Sequence, residues 1–305
     1  MRVLVTGSSG FIGKHLIRDL RDRNFHVVEF DIGLNPQMDV TNKKYVLMFF
    51  SETEPDVIIH LAANANTFRS REDPYFDFTV NVLGTLNVLE SILKNKKDTY
   101  LLFASSAYVY GEPQFVPITE DHPLNPTHPY GLSKLVAEHY IRMYNKLFGI
   151  PYTILRFFNI YGPGQSLGYV IPDLIHRAIK LLHKKGNEFL VQSSSEVVRD
   201  FVFIEDAIKA IIKAVEVGPL NTEINICSGI PTKIGELVSH ILRILNTSNV
   251  KVKYLQDKAG KVSALFGSNK KAYELLGWRP LANIYDGLKM TIDDYLLRYH
   301  RDNNT

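Results

Sequence analysis

Thr6-Gly7-Ser8-Ser9-Gly10-Phe11-Ile12-Gly13 is the stretch whose reading settles the fold of this chain. The apolar, β-branched run Arg2–Thr6 leads into it, and residues 11–23 follow with Ile12, Leu16, Ile17 and Leu20 near helical spacing. Strand, glycine turn and helix in that order open a βαβ unit. Gly7 permits a tight turn, Gly10 lets backbone amides approach a pyrophosphate, and Gly13 lets the helix lie close on the strands. The helix N-terminus adds partial positive charge toward the phosphates. The spacing is G-x-x-G-x-x-G, one residue longer than the G-x-G-x-x-G fingerprint, so the surroundings of the turn decide its meaning.

Outward from the turn the β-α alternation continues. Residues 26–30 read as a second strand and 56–61 as a third. Val57, Ile58, Ile59 and Leu61 make the third nearly continuous in apolar character, as a parallel strand covered on both faces requires. A long helix over 75–94, a strand over 100–104, a helix over 130–148 and a strand over 152–157 come next. This rhythm predicts an α/β fold built on a Rossmann-type doubly wound parallel sheet. After Tyr161-Gly162-Pro163-Gly164 it loosens into a helix over 172–184, a strand at 200–204, a helix over 205–217 and a strand at 223–227, then further helices and a strand at 250–255. We expect a dinucleotide-binding domain over 1–164, with its sheet completed by elements within 200–228. A smaller, mainly helical substrate-binding lobe over 165–305 would interleave with those elements.

Bulk properties restrict the partners. Of 305 residues, 45% are hydrophobic and 22% charged, with a formal net charge of +3. That surplus is too small to single out nucleic acid or an acidic membrane. No apolar run reaches the roughly 20 residues of a bilayer-spanning helix. Met1 runs straight into an apolar strand, leaving no room for a signal peptide. Cys227 is the single cysteine, so no disulfide can form within the chain. A cytoplasmic location is expected. The ten histidines are scattered without a ligand cluster, so no metal is expected, and His60 and His122 read as structural.

Asp31 closes the second strand, 18 residues beyond Gly13, where a carboxylate grips the adenosine ribose hydroxyls. It would repel a 2′-phosphate, and no Arg or Lys stands between Glu29 and Thr41 to receive one. The cofactor expected is NAD rather than NADP. In Pro129-Tyr130-Gly131-Leu132-Ser133-Lys134, Tyr130 and Lys134 share one helical face. An unperturbed phenol titrates near pH 10, too high for a base at neutral pH, and both a neighbouring ammonium and an oxidised nicotinamide favour the phenolate. Upstream, the strand over 100–104 runs into Ser105-Ser106-Ala107-Tyr108-Val109-Tyr110-Gly111. In such sheets the carboxyl ends of the strands face the ligand crevice, so either serine is placed to reach a substrate.

The glycine turn, Asp31, His60-Leu61-Ala62-Ala63, Asn81, the serine-rich strand end and Tyr-x-x-x-Lys stand in the order found in extended short-chain dehydrogenases/reductases. With Arg156-Phe157-Phe158-Asn159, Tyr161-Gly162-Pro163, Arg199-Asp200-Phe201 and Leu276-Gly277-Trp278-Arg279-Pro280, nearly the whole chain resembles the sugar-nucleotide epimerase/dehydratase branch of that family. The resemblance implies that Tyr130 is the acid/base, that Lys134 lowers its pKa and binds the nicotinamide ribose, and that Ser106 holds the reacting sugar oxygen. It places Asp39 and Val40 on the adenine, Leu61, Ala62 and Ala63 along the dinucleotide, and Phe11, Ile12, Asn81 and Phe158 among the cofactor's contacts. A nucleotide-sugar substrate would meet Asn159, Lys258 and Arg199, the last on its diphosphate, where the bidentate guanidinium suits phosphate. The alternative for Arg199 is an ion pair with Asp200 or Asp206. Family members commonly dimerise through two helices per subunit, here 75–94 and 130–148, so a homodimer is expected.

The reaction is narrowed by what is missing. The family's 4,6-dehydratases carry an Asp-Glu pair directly after the hydroxyl residue, and its sugar-acid decarboxylases keep the Glu. Here those positions are Ala107 and Tyr108, which cannot shuttle a proton as carboxylates do. Two reactions remain. Ser106-Ala107 with Val109-Tyr110-Gly111 resembles the 4-epimerases, which retain NAD and oxidise C4 transiently. Gly162-Pro163-Gly164-Gln165-Ser166-Leu167-Gly168, Cys227-Ser228-Gly229 and Gly267-Ser268-Asn269-Lys270 resemble the GDP-4-keto-6-deoxymannose reductases. Lys258 stands where both groups usually offer an arginine, so the nucleotide stays open. Asp31 favours the epimerase. A non-catalytic dinucleotide sensor or scaffold is the third reading, and it has little use for Ser106, Tyr130 and Lys134 together.

Overall fold

The structure, a computed structural model, describes residues 1–95, 98–184, 187–247, 250–255 and 264–303. The first half runs β1 (Arg2–Thr6), α1 (Phe11–Asp22), β2 (His26–Phe30), α2 (Lys43–Thr53), β3 (Val57–His60), α3 (Thr67–Glu72) and α4 (Pro74–Phe78). A π-helical turn (Thr79–Leu83), α5 (Gly84–Asn95), β4 (Tyr100–Ser106), a 3₁₀ turn (Ala107–Val109), α6 (Pro129–Phe148) and β5 (Tyr152–Phe157) follow. The second half holds β6 (Asn159–Tyr161), α7 (Val170–Lys184), β7 (Glu188–Val191), β8 (Val198–Arg199), β9 (Phe201–Phe203), α8 (Ile204–Val217) and β10 (Glu223–Ile226). It ends with β11 (Thr232–Lys233), α9 (Ile234–Ile244), β12 (Lys251–Tyr254), β13 (Ala264–Leu265), α10 (Lys270–Leu276) and α11 (Ile284–Asn303).

Six parallel strands form the central sheet in the order β10-β5-β4-β3-β1-β2, the Rossmann-type arrangement. Strand alternation divides the core into two layers. Val3, Val5 and Ile59 pack with α1 and α8 on one face, while Leu4 and Ile58 pack with α2, α5 and α6 on the other. Both faces are therefore covered, which is why these strands read as continuous apolar runs. After β2 the strand order crosses to the other side of β1, where β3 pairs, so the carboxyl ends of β1 and β3 flank the crevice in which open α/β sheets bind ligands. The remaining strands make small sheets outside this one: β11-β8-β13, β12-β7 and β6-β9. The C-terminal part is thus more mixed than a helical lobe, and residues 201–203 pair with β6 rather than extending the main sheet.

The helix expected over 75–94 is broken. Asp73 caps α4 through Phe76 N–H, and the chain then widens into the π turn before α5 resumes. The widening leaves the Asn81 carbonyl to accept from the Thr85 hydroxyl (2.6 Å). Gly84 lets α5 approach, since a Cβ there would lie 2.7 Å from Val40 Cγ2.

His60 ties the sheet to that turn. Ala62 N–H donates to Thr6 Oγ1 (3.2 Å), leaving the hydroxyl proton for His60 Nδ1 (2.7 Å). His60 Nε2–H donates in turn to Thr85 Oγ1 (3.1 Å). The ring is neutral because both nitrogens are committed this way. Burial first, and the Lys134 charge second, lower its pKa from 6.5 to about 3. The unfolded chain takes up this proton near 6.5, so the stability His60 contributes is complete above that pH and is lost as pH falls toward 3. His60→Gln removes the titration. Between pH 6.5 and about 4, the wild type is expected to lose up to about 1.4 kcal/mol more per pH unit than the variant. Urea midpoints across the range would show it, and parallel slopes would refute it.

Candidate active site

The glycine turn is a cradle that side chains would fill. Gly7 has φ +72°, and a Cβ there would lie 2.7 Å from the Ala62 nitrogen; one on Gly13 would lie 2.3 Å from the Gly7 carbonyl oxygen. Gly10 begins α1 without any side-chain cap, which leaves that N-terminus to a ligand. Ser8 Oγ is buried beside it with no hydrogen-bond partner. Asp31 reaches the same cradle from the end of β2, accepting from Ser9 N–H (3.0 Å) and Gly33 N–H (2.7 Å). Its remaining lone pairs are available to ribose hydroxyls. Phe11 and Ile12 are half-buried on the first turn of α1, and Leu61, Ala62 and Ala63 are half-buried just beyond β3. Asp39 accepts from Thr41 N–H, while the Val40 carbonyl accepts from the Asn87 amide. The residues present fit a dinucleotide.

The chemistry-bearing side chains converge at the carboxyl end of β4. The structure separates its two serines. Ser105 turns toward α6 and donates to Glu138 Oε1 (2.6 Å). Ser106 turns toward the crevice, its oxygen accepting from Tyr108 N–H at the start of the 3₁₀ turn. Tyr130 is buried on the first turn of α6. Burial pushes its phenol well above the ordinary value, while the Ser106 hydroxyl, bonded to it, pulls the other way. Lys134 lies one turn further along, donating to the Ala104 carbonyl (2.9 Å) beneath the Phe103 ring. Burial lowers its ammonium from 10.5 to about 8, opposed by the charges of Asp77 and Glu138. In the chain itself, then, burial governs the phenol.

Asp77 and Ser133 are site residues that the sequence reading passed over. The fully buried Asp77 carboxylate accepts from Ser133 Oγ (2.6 Å), Asn64 Nδ2 (2.8 Å) and Asn81 Nδ2 (3.2 Å). Asn81 is thereby tied to α6 through Asp77 and Ser133. Only a polar residue on the inward face of a helix, as Asp77 is when 75–94 is drawn helically, signals this knot in advance.

On the opposite wall, Phe158 is buried, its N–H bonded to the Ile226 carbonyl (3.0 Å). Asn159 donates through Nδ2 to the Asp200 carbonyl (2.9 Å), leaving Oδ1 for other donors. Arg199 extends from β8 and donates to the Val198 carbonyl (2.8 Å). Nearby, Asp200 accepts from the Ser228, Gly229 and Gly267 N–H groups and the Ser228 hydroxyl, and Asp206 accepts from Leu281 and Ala282 N–H beside an ion pair with Lys209 (3.6 Å). Lys258 lies outside the described residues.

Comparison with known proteins places the chain in a family. The model of the NAD dependent epimerase/dehydratase family matches residues 3–227. A Methanocaldococcus jannaschii protein provisionally named UDP-glucose 4-epimerase is 34% identical over 95% of this chain and 97% of its own length. The GDP-6-deoxy-D-mannose reductase of Pseudomonas aeruginosa is 29% identical over 99% of each chain. The crystal structure of UDP-glucose 4-epimerase with UDP-glucose from Thermotoga maritima superposes with a TM-score of 0.89 at 29% identity, covering 98% of this chain and all of that one. With its glycine cradle, its Tyr130–Lys134 helix and a match spanning most of its length, this chain belongs to the NAD-dependent epimerase/dehydratase family.

Proposed function

We propose that the chain is an NAD-dependent 4-epimerase of nucleotide sugars. The observation that carries this reading is Asp31, whose carboxylate sits in the glycine cradle where a 2′-phosphate would have to fit. Such a site favours NAD, and an epimerase returns the cofactor unchanged at the end of each turnover. In this reading Tyr130, as phenolate, takes the proton from the sugar's O4 hydroxyl. Ser106 donates a hydrogen bond to the same oxygen, and Tyr130 returns the proton once the 4-keto group has presented its other face. Lys134 keeps a positive charge one helical turn away. Bound NAD supplies the hydride acceptor and, when oxidised, the positive charge that favours the phenolate. Tyr108 packs its ring against Tyr130 (6.1 Å between centroids), so the position after Ala107 lines the site with an aromatic wall and offers no acid for elimination.

A 4-ketoreductase acting on a GDP-sugar is the second reading, supported by the full-length similarity to the Pseudomonas reductase. We also place the enzyme in the cytoplasm as a homodimer. Tyr75, Phe78 and Leu83, with Met143 and Leu147 on the neighbouring α6, leave large apolar surfaces exposed, which monomers seldom do over a contiguous patch.

Denaturing the purified protein and identifying the dinucleotide it releases separates the two reactions. Near-stoichiometric NAD supports the epimerase; an empty protein that consumes NADPH with a 4-keto sugar nucleotide overturns it. The two serines give a second test. Ser106→Ala is expected to slow turnover by about 10²-fold with little change in the thermal midpoint. Ser105→Ala is expected to cost about 1–3 kcal/mol of stability by stripping a donor from buried Glu138, with the rate largely kept; the reverse pattern would show the serines misassigned. Sedimentation addresses assembly: Leu147→Glu should convert a dimer to monomer, and a wild-type monomer would end that proposal.

A further inference from the structure

Two side chains close the N-terminal turn of the helix that carries Tyr130. Pro129 has no N–H to satisfy. The Tyr130 N–H is taken by Ser70 Oγ of α3 (3.3 Å), and the Gly131 N–H by Nδ1 of His128 (3.2 Å), the N-cap residue. Ser, Thr, Asp and Asn are the favoured caps because their side-chain oxygens accept. An imidazole nitrogen accepts only while it is unprotonated. The Gly131 N–H therefore assigns the lone pair to Nδ1 and the ring's proton to Nε2. The His128 ring lies nearly parallel to that of Tyr130 (centroids 6.2 Å, 14°), and Tyr108 packs against it edge-on (4.8 Å, 64°).

We infer that His128 is a positioning residue for Tyr130, holding the first turn of α6 and the phenol ring in place while its imidazole is neutral and releasing both when it is protonated. The inference rests on Tyr130 being the acid/base. Protonation takes the acceptor away from Gly131 and sets a cation at the positive end of the helix, where the dipole opposes it. Arg71 of α3 opposes protonation by its charge, Asp77 of α4 favours it, and Tyr108 and Tyr130 flank the ring. Burial first and Arg71 second hold the imidazole below its ordinary 6.5, against Asp77. The cap's contribution to stability is therefore complete above 6.5 and is lost as pH falls from there through the imidazole's lowered value in the folded chain.

The test compares wild type, His128→Asn and His128→Ala for thermal midpoint and for turnover of UDP-glucose, from about pH 8 to about 5.5, the range in which histidine titrates. Each is normalised to its own value at the upper pH. Asn caps throughout this range. Wild-type turnover is expected to fall about fivefold further than that of His128→Asn, the equilibrium factor of one lost cap. The thermal midpoints should diverge the same way, and His128→Ala should be less stable at every pH. Superimposable normalised curves for wild type and His128→Asn would overturn the inference. Diverging midpoints with no turnover in any protein would leave the cap standing and remove the reaction assigned to Tyr130.

Discussion

A helix that turns Tyr130, Ser133, Lys134 and Glu138 inward can be buried only if each of those polar groups finds a partner there. Much of the molecule is arranged around meeting that condition for α6. Glu138, fully buried, receives both Nε and Nη2 of Arg156 from β5 (3.0 and 2.7 Å) and the Ser105 hydroxyl from β4. Burial alone would raise its carboxyl, but the bonds and charge of Arg156 hold it below the ordinary value. Removing one member of such a pair costs about 3–5 kcal/mol, because the other charge is left alone in the core. The remaining guanidinium nitrogen accounts for Tyr110, whose hydroxyl accepts from Arg156 Nη1 and donates to Asn225 of β10. One ion pair thus joins three strands of the sheet to the helix that presents Tyr130.

The same demand explains the break in the helix before α5. Ser133 needs an acceptor and Lys134 a counter-charge, and Asp77 answers to both. The π turn carries Asn81, which bonds to both Asp77 and Ser133. π turns are rare and tend to occur where a side chain must be aimed. Here the aimed side chain is Asn81, facing α6 across the crevice floor. Arg156 is paired with Glu138, and Lys134 is the other buried cation among the described residues. Its burial is what lowers the ammonium to about 8. In the proposed reaction, this buried ammonium one helical turn from Tyr130 would set the electrostatics of the site before substrate enters.

The βαβ rhythm, the glycine turn and the Tyr-x-x-x-Lys spacing were all legible along the chain, because each is a local pattern: two apolar periodicities, a turn and one helical face. Asp31 was legible because its distance from the glycines is set by one strand and one helix. These features determined the family and the crevice. Other facts depended on which element packs against which. Ser105 and Ser106 are equivalent as letters, and only the position of α6 sends one to Glu138 and the other to the ligand side. His128 read as one histidine among ten until Gly131 N–H met its Nδ1. Residues 75–94 carry a helical pattern throughout, and the π turn within them answers a partner, Ser133, that lies 52 residues downstream of Asn81. Periodicity reports the face a residue shares with its neighbours in the chain. It is silent about the distant donor or acceptor that a buried polar atom must find, and in this protein those distant pairings decide how the site is held.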